Sequence, residues 1–185
     1  MNNLKAVIDT NVLYSSMARD ILLWLATYDL FQPVWSEKIL QELYFALKKL
    51  PKTERVKLIT RLKEVFPDAL IEQLPETGTI HLPDEDDLHI VACALASNAA
   101  TIITFNLKDF PADELAPIKA ISPDDFCLNL LEQNDLMGIK AITIHWRGYQ
   151  NPKISWEEYT ARLNRARLHK LSRKLKKLDL SSAGL

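Results

Sequence analysis

Ala6-Val7-Ile8-Asp9-Thr10-Asn11-Val12-Leu13 sets one carboxylate directly behind a short apolar run. Residues 5–8 show no polar alternation, which suits a strand covered on both faces. Thr10 and Asn11 favour a turn after it, and either can cap a following helix. A carboxylate at the end of such a strand gains little stability there, so its position asks for a chemical reason.

Three further acidic segments sit in similar apolar frames. Glu42 lies within Ile39-Leu40-Gln41-Glu42-Leu43, and Asp84-Glu85-Asp86-Asp87 runs into Leu88-His89-Ile90-Val91-Ala92. Ile102-Ile103-Thr104-Phe105-Asn106-Leu107-Lys108-Asp109-Phe110 closes the set. Carboxylates converging on one point repel each other unless a cation sits between them. Hard divalent cations take oxygen ligands, and Mg2+ typically combines one or two carboxylates with water and substrate phosphate. The economical reading is a metal-dependent phosphodiesterase site assembled from distant segments.

The intervening sequence alternates strand and helix signals. Strands are expected at residues 5–8, 31–34, 69–74, 101–104 and 120–121. Helices are expected at 16–28, at 37–50 with Ser36 as cap, at 54–66 with Thr53 as cap, and at 83–98 behind Pro83 and its acids. Another follows Ser122-Pro123 through residue 131, and residues 111–117 read as a loop. Such alternation implies a parallel sheet with helices on both faces, whose ligands collect at the carboxyl ends of the strands. Asp9 and Asp109 both fall at that edge, and Glu42 and Asp87 lie near helix starts that can face the same crevice.

Beyond residue 132 the pattern changes. An apolar stretch at 137–144 leads into a loop at 145–152, and Ser155 with Glu158 has the spacing of a capping box. One long helix is expected from there to about residue 178, with disorder after it. The net charge of −1 hides an asymmetry: residues 1–159 hold 15 Lys+Arg against 23 Asp+Glu, and residues 160–185 hold eight Lys+Arg against Asp179 alone. A basic tail on an acidic body points to a polyanion or to an acidic surface.

Composition narrows the class. A hydrophobic content of 48% in 185 residues suits a packed domain rather than a disordered chain. No apolar run approaches a membrane span, and the N-terminus lacks a signal-peptide pattern, so the chain is expected to be cytoplasmic. Two cysteines, Cys93 and Cys127, offer neither a disulfide framework nor zinc spacing.

Taken together, these residues resemble the PIN-domain nucleases, and more narrowly the VapC-like toxins of bacterial type II toxin–antitoxin pairs. Asp9-Thr10-Asn11-Val12-Leu13 is similar to that family's first motif, and Glu42 within Leu40-Gln41-Glu42-Leu43 to its second. Asp87, followed by apolar residues with Ala92 and Ala94, is similar to the third. Thr104-Phe105-Asn106-Leu107-Lys108-Asp109-Phe110-Pro111 is similar to the fourth. The resemblance implies an α/β, PIN-like three-layer fold over residues 1–132, with a central parallel sheet flanked by helices. Residues 133–185 would form a mainly helical C-terminal extension.

The resemblance also implies a Mg2+- or Mn2+-dependent endoribonuclease, dimeric and silenced by a small antitoxin. Asp9, Glu42, Asp87 and Asp109 would be its acids, with Asp9, Asp87 and Asp109 holding metal. Thr10, Asn11, Thr104 and Asn106 would orient them. Asp84 is the alternative third acid, one turn away, and Asn106 the alternative to Asp109. Arg173, Lys174, Lys176 and Lys177 are the candidate RNA contacts.

Each signal has a plainer reading beside it. Asp9 and Asp109 could be turn residues and Glu42 a solvated helix residue; Glu85 and Asp86 are expected only to favour the helix dipole. His81, His89 and His145 are expected to be structural, Cys93 buried, and Trp146, Tyr149 and Trp156 to pack the extension. Two other classes stay open: an inactive PIN-fold module that binds RNA or protein, and a phosphate-handling receiver or hydrolase. The four acids count against the first. The second lacks an acidic neighbour to Asp9.

Overall fold

The computed structural model describes residues 4–78 and 80–178. Five strands form one parallel sheet: β1 (Lys5–Ile8), β2 (Gln32–Ser36), β3 (Leu70–Ile71), β4 (Thr101–Ile103) and β5 (Lys119–Ile121), in the order β3-β2-β1-β4-β5. Ala6, Val7 and Ile8 of the central strand are fully buried, as are Trp35, Ile102 and Ile103. The absence of alternation in the sequence of β1 follows from this burial on both faces. The expected strand at 69–74 shortens to two residues, because Pro67–Ala69 forms a 3-10 turn before it.

By packing, the chain divides into two compact units. The first holds residues 1–14 and 31–122, and the second holds residues 15–30 and 123–185. This grouping differs from a division at residue 132.

In the first unit, helix α1 (Thr10–Tyr14) leaves the end of β1, and α3 (Glu37–Ala46) leaves the end of β2. Ser36 caps α3, its hydroxyl accepting from Ile39 N at 3.3 Å. Helix α4 (Lys52–Val65) begins at Pro51, not at Thr53, since proline needs no N–H partner there. Asp84 caps a 3-10 turn (Glu85–Asp87) that feeds α5 (Leu88–Ser97), and Asn98 ends α5 in the left-handed region at φ 55°. Helix α5 packs on β1, β2 and β4. The expected loop at 111–117 contains the short helix α6 (Ala112–Leu115).

In the second unit, α2 (Ser16–Thr27) packs with α7 (Pro123–Gln133), α8 (Asp135–Arg147) and α9 (Trp156–Arg165). Helix α8 takes in His145, Trp146 and Arg147, so the expected loop starts later, after Arg147. Gly138 allows α8 to approach α7: a Cβ there would lie 3.1 Å from the Leu131 side chain. The aromatic residues pack within this unit. Trp146 meets Trp156 at 5.1 Å between ring centroids, Trp156 stacks on Tyr159 at 5.4 Å, and His145 sits between Trp24 and Tyr149. His145 Nδ1 lies 2.9 Å from the Tyr159 hydroxyl, and burial lowers its pKa.

The expected long terminal helix is broken. Ser155 caps α9 as anticipated, accepting from Glu158 N at 3.1 Å, but the Glu158 carboxylate pairs with Arg162 and Arg165 rather than reaching back. The chain reverses at Arg167, with φ 65°, and restarts as α10 (His169–Lys176). The cap of α10 comes from far away in sequence. Buried Asp124, on α7, accepts from Lys170 N at 2.8 Å and Leu171 N at 2.9 Å. The disorder expected at the C-terminus falls outside the described residues.

Asp124→Ala strips two backbone N–H groups, that of Leu171 buried and that of Lys170 partly so, of their acceptor. It should lower unfolding free energy by about 1–3 kcal/mol in urea titration. Asp124→Asn, which keeps one acceptor oxygen, should lose less. A variant within about 0.5 kcal/mol of the parent, the range of an ordinary surface substitution, would refute the cap.

Candidate active site

The sheet order places a topological switch between β1 and β4, since the chain builds outward through β2 and β3 and then returns to the other side of β1. Ligands of open parallel sheets bind at that point, outside the carboxyl ends of the strands. Asp9 and Thr104 occupy it. Asp9 N donates to Ile103 O at 3.1 Å and Thr104 N to Ile121 O at 3.0 Å, so each residue is placed by a strand ladder.

Asp9 is 5% exposed. Its Oδ2 accepts from the Thr104 hydroxyl at 2.6 Å and from the Asn11 side-chain amide, and its Oδ1 accepts from Asn11 N at 3.3 Å. Asn11 Oδ1 accepts from Phe105 N at 3.1 Å, and Thr104 Oγ1 accepts from Asn106 N at 3.0 Å. Thr104 and Asn11 thus hold the Asp9 carboxylate, and Asn106 reaches Thr104 through its backbone. Burial raises the Asp9 pKa; Thr104 and Asn11 oppose that, and the charge of Glu42 adds to it.

Glu42 projects from α3. Its Oε2 accepts from the Thr10 hydroxyl at 2.8 Å, and its Oε1 lies 3.2 Å from Nε2 of His89 on α5. Burial alone would raise the Glu42 pKa, but His89 and Thr10 together bring it below the usual carboxylate value. Sequence reasoning placed His89 as structural and so missed this contact. No local signal carries it, because the two residues meet only through the packing of α3 and α5. His89 Nε2 is buried without an aligned hydrogen bond, so the approach to Glu42 is close but off-line. A buried polar atom in that state costs about 1–3 kcal/mol.

Asp87 stands at the end of the 3-10 turn before α5, half-buried. Its pKa is pushed up to about 6, first by burial and then by the charges of Asp9, Asp84 and Asp109. The repulsion ties four of the predicted acids to one locality. Asp84 is exposed and engaged as a cap, accepting from Asp86 N at 3.0 Å. Asp109 ends another 3-10 turn (Leu107–Asp109), with Lys108 Nζ 3.9 Å away. Glu85 and Asp86 are exposed at the helix start, in keeping with a dipole role.

These donors fit a hard divalent cation in chemistry: all are carboxylate oxygens, and burial with the acidic neighbours of Asp87 raises its pKa more than His89 lowers it. They do not form a closed cage, because no three His, Cys, Asp or Glu among the described residues converge tightly enough to hold an ion. An ion here would complete its shell with water and phosphate, as Mg2+ usually does.

Arg173, Lys174, Lys176 and Lys177 belong to the second unit, on or next to α10. Lys174 pairs with Asp135 at 3.1 Å, and Lys170 pairs with Asp125. Among the described residues, no carboxylate pairs with Arg173, Lys176 or Lys177. Cys93 is buried and its thiol pushed up to about 12, so it is inert, as expected. Among the described residues, no helix is long and apolar enough to cross a membrane.

The PIN domain family matches residues 5–108, more than half of the chain, and the chain belongs to that family. The matched span holds Asp9, Glu42 and Asp87 and stops one residue before Asp109. The protein named "Putative ribonuclease VapC50" of Mycobacterium tuberculosis (strain ATCC 25618 / H37Rv) is 50% identical over 48 residues, which is 25% of this chain and 28% of that protein. The chain thus aligns with little more than a quarter of that relative's length. No solved structure matches.

Asp87 provides a pH test in metal-free buffer. A carboxylate with a raised folded pKa favours folding while protonated and opposes it once ionised. Its cost therefore appears as pH rises from about 4 toward 6 and is complete above that. Asp87→Asn should raise stability at pH 7–8 by ~1 kcal/mol, a figure discounted for the solvent around a half-buried group. The gain should vanish below about pH 4. Equal stability of variant and parent in urea melts across that range would disprove the repulsion.

Proposed function

We propose that the chain is a metal-dependent endoribonuclease, cleaving RNA phosphodiester bonds as the toxin of a type II toxin–antitoxin pair. Its partners would be the RNA substrate, a small antitoxin and a second copy of the chain, in the cytoplasm. One observation carries the nuclease reading: Asp87 is repelled by Asp9, Asp84 and Asp109 at the carboxyl edge of a parallel sheet. Such a cluster opposes folding and is explained by a cationic ligand. Membership of the PIN domain family and the name of the mycobacterial relative support the same reading.

Asp9, Asp87 and Asp109 would hold Mg2+ or Mn2+. When bound, the cation would polarise the scissile phosphate and lower the pKa of an attacking water. The chain's own part is placement. Thr104 and Asn11 fix both oxygens of Asp9, so that its carboxylate is set before substrate arrives. Glu42, held by Thr10, presents an acceptor for a water proton on the same side. With four acids facing it, the bare site repels a phosphodiester, so RNA binding depends on the cation and on basic residues elsewhere.

Asp9→Asn should abolish metal-dependent cleavage of single-stranded RNA, a loss of at least about 1000-fold given the charge stabilisation at stake. Mn2+ should raise the melting temperature of the parent and leave Asp9→Ala/Asp87→Ala unmoved, since metal binds only the folded cluster. Cleavage by purified Asp9→Asn at the parental rate would leave an inactive binding module as the better reading.

Arg173, Lys176 and Lys177 are the proposed RNA-binding residues on or next to α10, with Lys174 paired to Asp135. Replacing all four with Gln should flatten the log–log salt dependence of RNA binding by about 0.7 for each phosphate that is no longer neutralised. An unchanged slope together with a lowered melting point would make the helix a clasp on its own unit.

A further inference from the structure

We propose that Lys38 and Lys108 are paired phosphate contacts, one on each side of the acid cluster, that hold the RNA backbone across the site. The inference rests on the nuclease reading above and names part of its substrate interface.

The sheet sets the two lysines apart. β1 pairs with β2 on one side and with β4 on the other, and Asp9 follows β1 between them. Helix α3 starts at Glu37, directly behind β2, so Lys38 stands in its first turn at the carboxyl end of that strand. Lys108 lies in the 3-10 turn Leu107–Asp109 that follows β4. Neighbouring strands run about 4.8 Å apart, which puts the ends of β2 and β4 about 10 Å from each other. An extended single strand of RNA crosses such a gap with a few phosphates. Both lysines belong to the first unit, as do the acids.

Each lysine accompanies one acid of the site without being locked to it. Lys38 precedes Glu42 by four residues on α3, and its charge is among the influences that lower the Glu42 pKa. Lys108 Nζ is 3.9 Å from Asp109 Oδ1, beyond hydrogen-bond reach, and the Lys108 side chain is 86% exposed. The two ammonium groups thus border the acid cluster and remain open to solvent.

Stability does not account for either position. A cation in the first turn of a helix opposes the helix dipole. Lysine placed four residues before glutamate is the weaker of the two orientations for such a pair. Glu37, beside Lys38, is taken by Lys63 at 2.7 Å. An exposed pair such as Lys108–Asp109 contributes little to folding. A phosphodiester, by contrast, supplies what both lysines lack. An ammonium is a compact point charge with three donors, and it meets phosphate oxygens with little demand on direction. Contacts of that kind fix the register of a nucleic acid without reading its bases. They also offset the repulsion that the acids exert on the backbone.

The test uses the full chain, saturating Mn2+ and a single-stranded RNA oligonucleotide, with KM measured over a series of KCl concentrations. Lys38→Gln and Lys108→Gln should each raise KM by about 3–10-fold and flatten the slope of log KM against log salt by about 0.7. The double variant should flatten it by about 1.4. The loss should fall on KM rather than kcat, as expected for binding shared by ground state and transition state. Lys38→Arg and Lys108→Arg keep the charge and should keep the parental slope. Lys57→Gln, at an exposed position on α4, should keep it too.

A parental slope in either single Gln variant overturns this inference, and so does a slope flattened equally by Lys57→Gln. A Gln variant that loses its cooperative melt refutes it as well, because the lysine would then serve the fold by screening the acids. If the parent neither binds nor cleaves RNA, the nuclease reading falls and takes this inference with it. Cleavage by the parent beside unchanged Gln variants leaves that reading standing and removes the lysines alone.

Discussion

Repulsion between carboxylates at one edge of the sheet is the constraint to which the rest of the site answers. Like charges in partly buried surroundings disperse unless the backbone holds them. Here the backbone is held. β1 is the central strand with Ala6, Val7 and Ile8 fully buried, Asp9 continues its ladder to Ile103, and the 3-10 turns bearing Asp87 and Asp109 are short. The acids are not treated alike. Asp9 receives hydrogen bonds at both oxygens and Glu42 faces a neighbour at each, while among the described residues no donor reaches the Asp87 carboxylate. The unrelieved charge therefore collects at Asp87, whose pKa is pushed up to about 6. That asymmetry distinguishes the acids: Asp9 takes hydrogen bonds at both oxygens, Glu42 takes one from Thr10, and Asp87 takes none among the described residues.

The legible part of this arrangement was the part written locally. An unbroken apolar run meant a buried strand, and β1 spans Lys5–Ile8 as read. Alternating strands and helices meant a parallel sheet, and the five strands form one. The acids then fell where such sheets bind ligands. What stayed hidden depends on contacts between distant residues. Glu42 and His89 meet across two helices, and nothing in Leu88-His89-Ile90 marks the histidine as facing a carboxylate. The break between α9 and α10 was hidden for the same reason. Arg167 takes a left-handed conformation without being glycine or asparagine, and the cap that makes the restart possible is Asp124, on another helix. An uninterrupted amphipathic pattern gives no warning of either.

The packing of the chain groups its segments differently from a shift in composition. Charge and aromatic content change after residue 132, and that change suggested an appendage. Helix α2, however, packs with α7, α8 and α9, so the second unit takes in residues 15–30 as well as the C-terminal part. The chain leaves the first unit directly after α1, the helix that follows Asp9, and re-enters it at residue 31, just before β2. Thr10, which holds Glu42, therefore lies within a few residues of a crossing between the units.

The same packing refines the meaning of the basic terminus. As a count, eight cations against one acid suggest a single polyanion-binding surface. The structure sorts them by partner instead. Arg162 and Arg165 are taken by Glu158, Lys170 by Asp125 and Lys174 by Asp135, all within the second unit. Such exposed pairs contribute little stability each, with a median of roughly 0–1 kcal/mol, but they reduce the charge left for a ligand. Arg167 sits at the reversal between α9 and α10, and Arg173, Lys176 and Lys177 carry no ion pair among the described residues, next to a pocket that also includes Leu128. An excess that looked uniform along the sequence thus becomes a short cationic edge on α10. If the chain binds RNA as proposed, a site lined by acids would repel it, and a cationic edge of this kind is where attraction would come from.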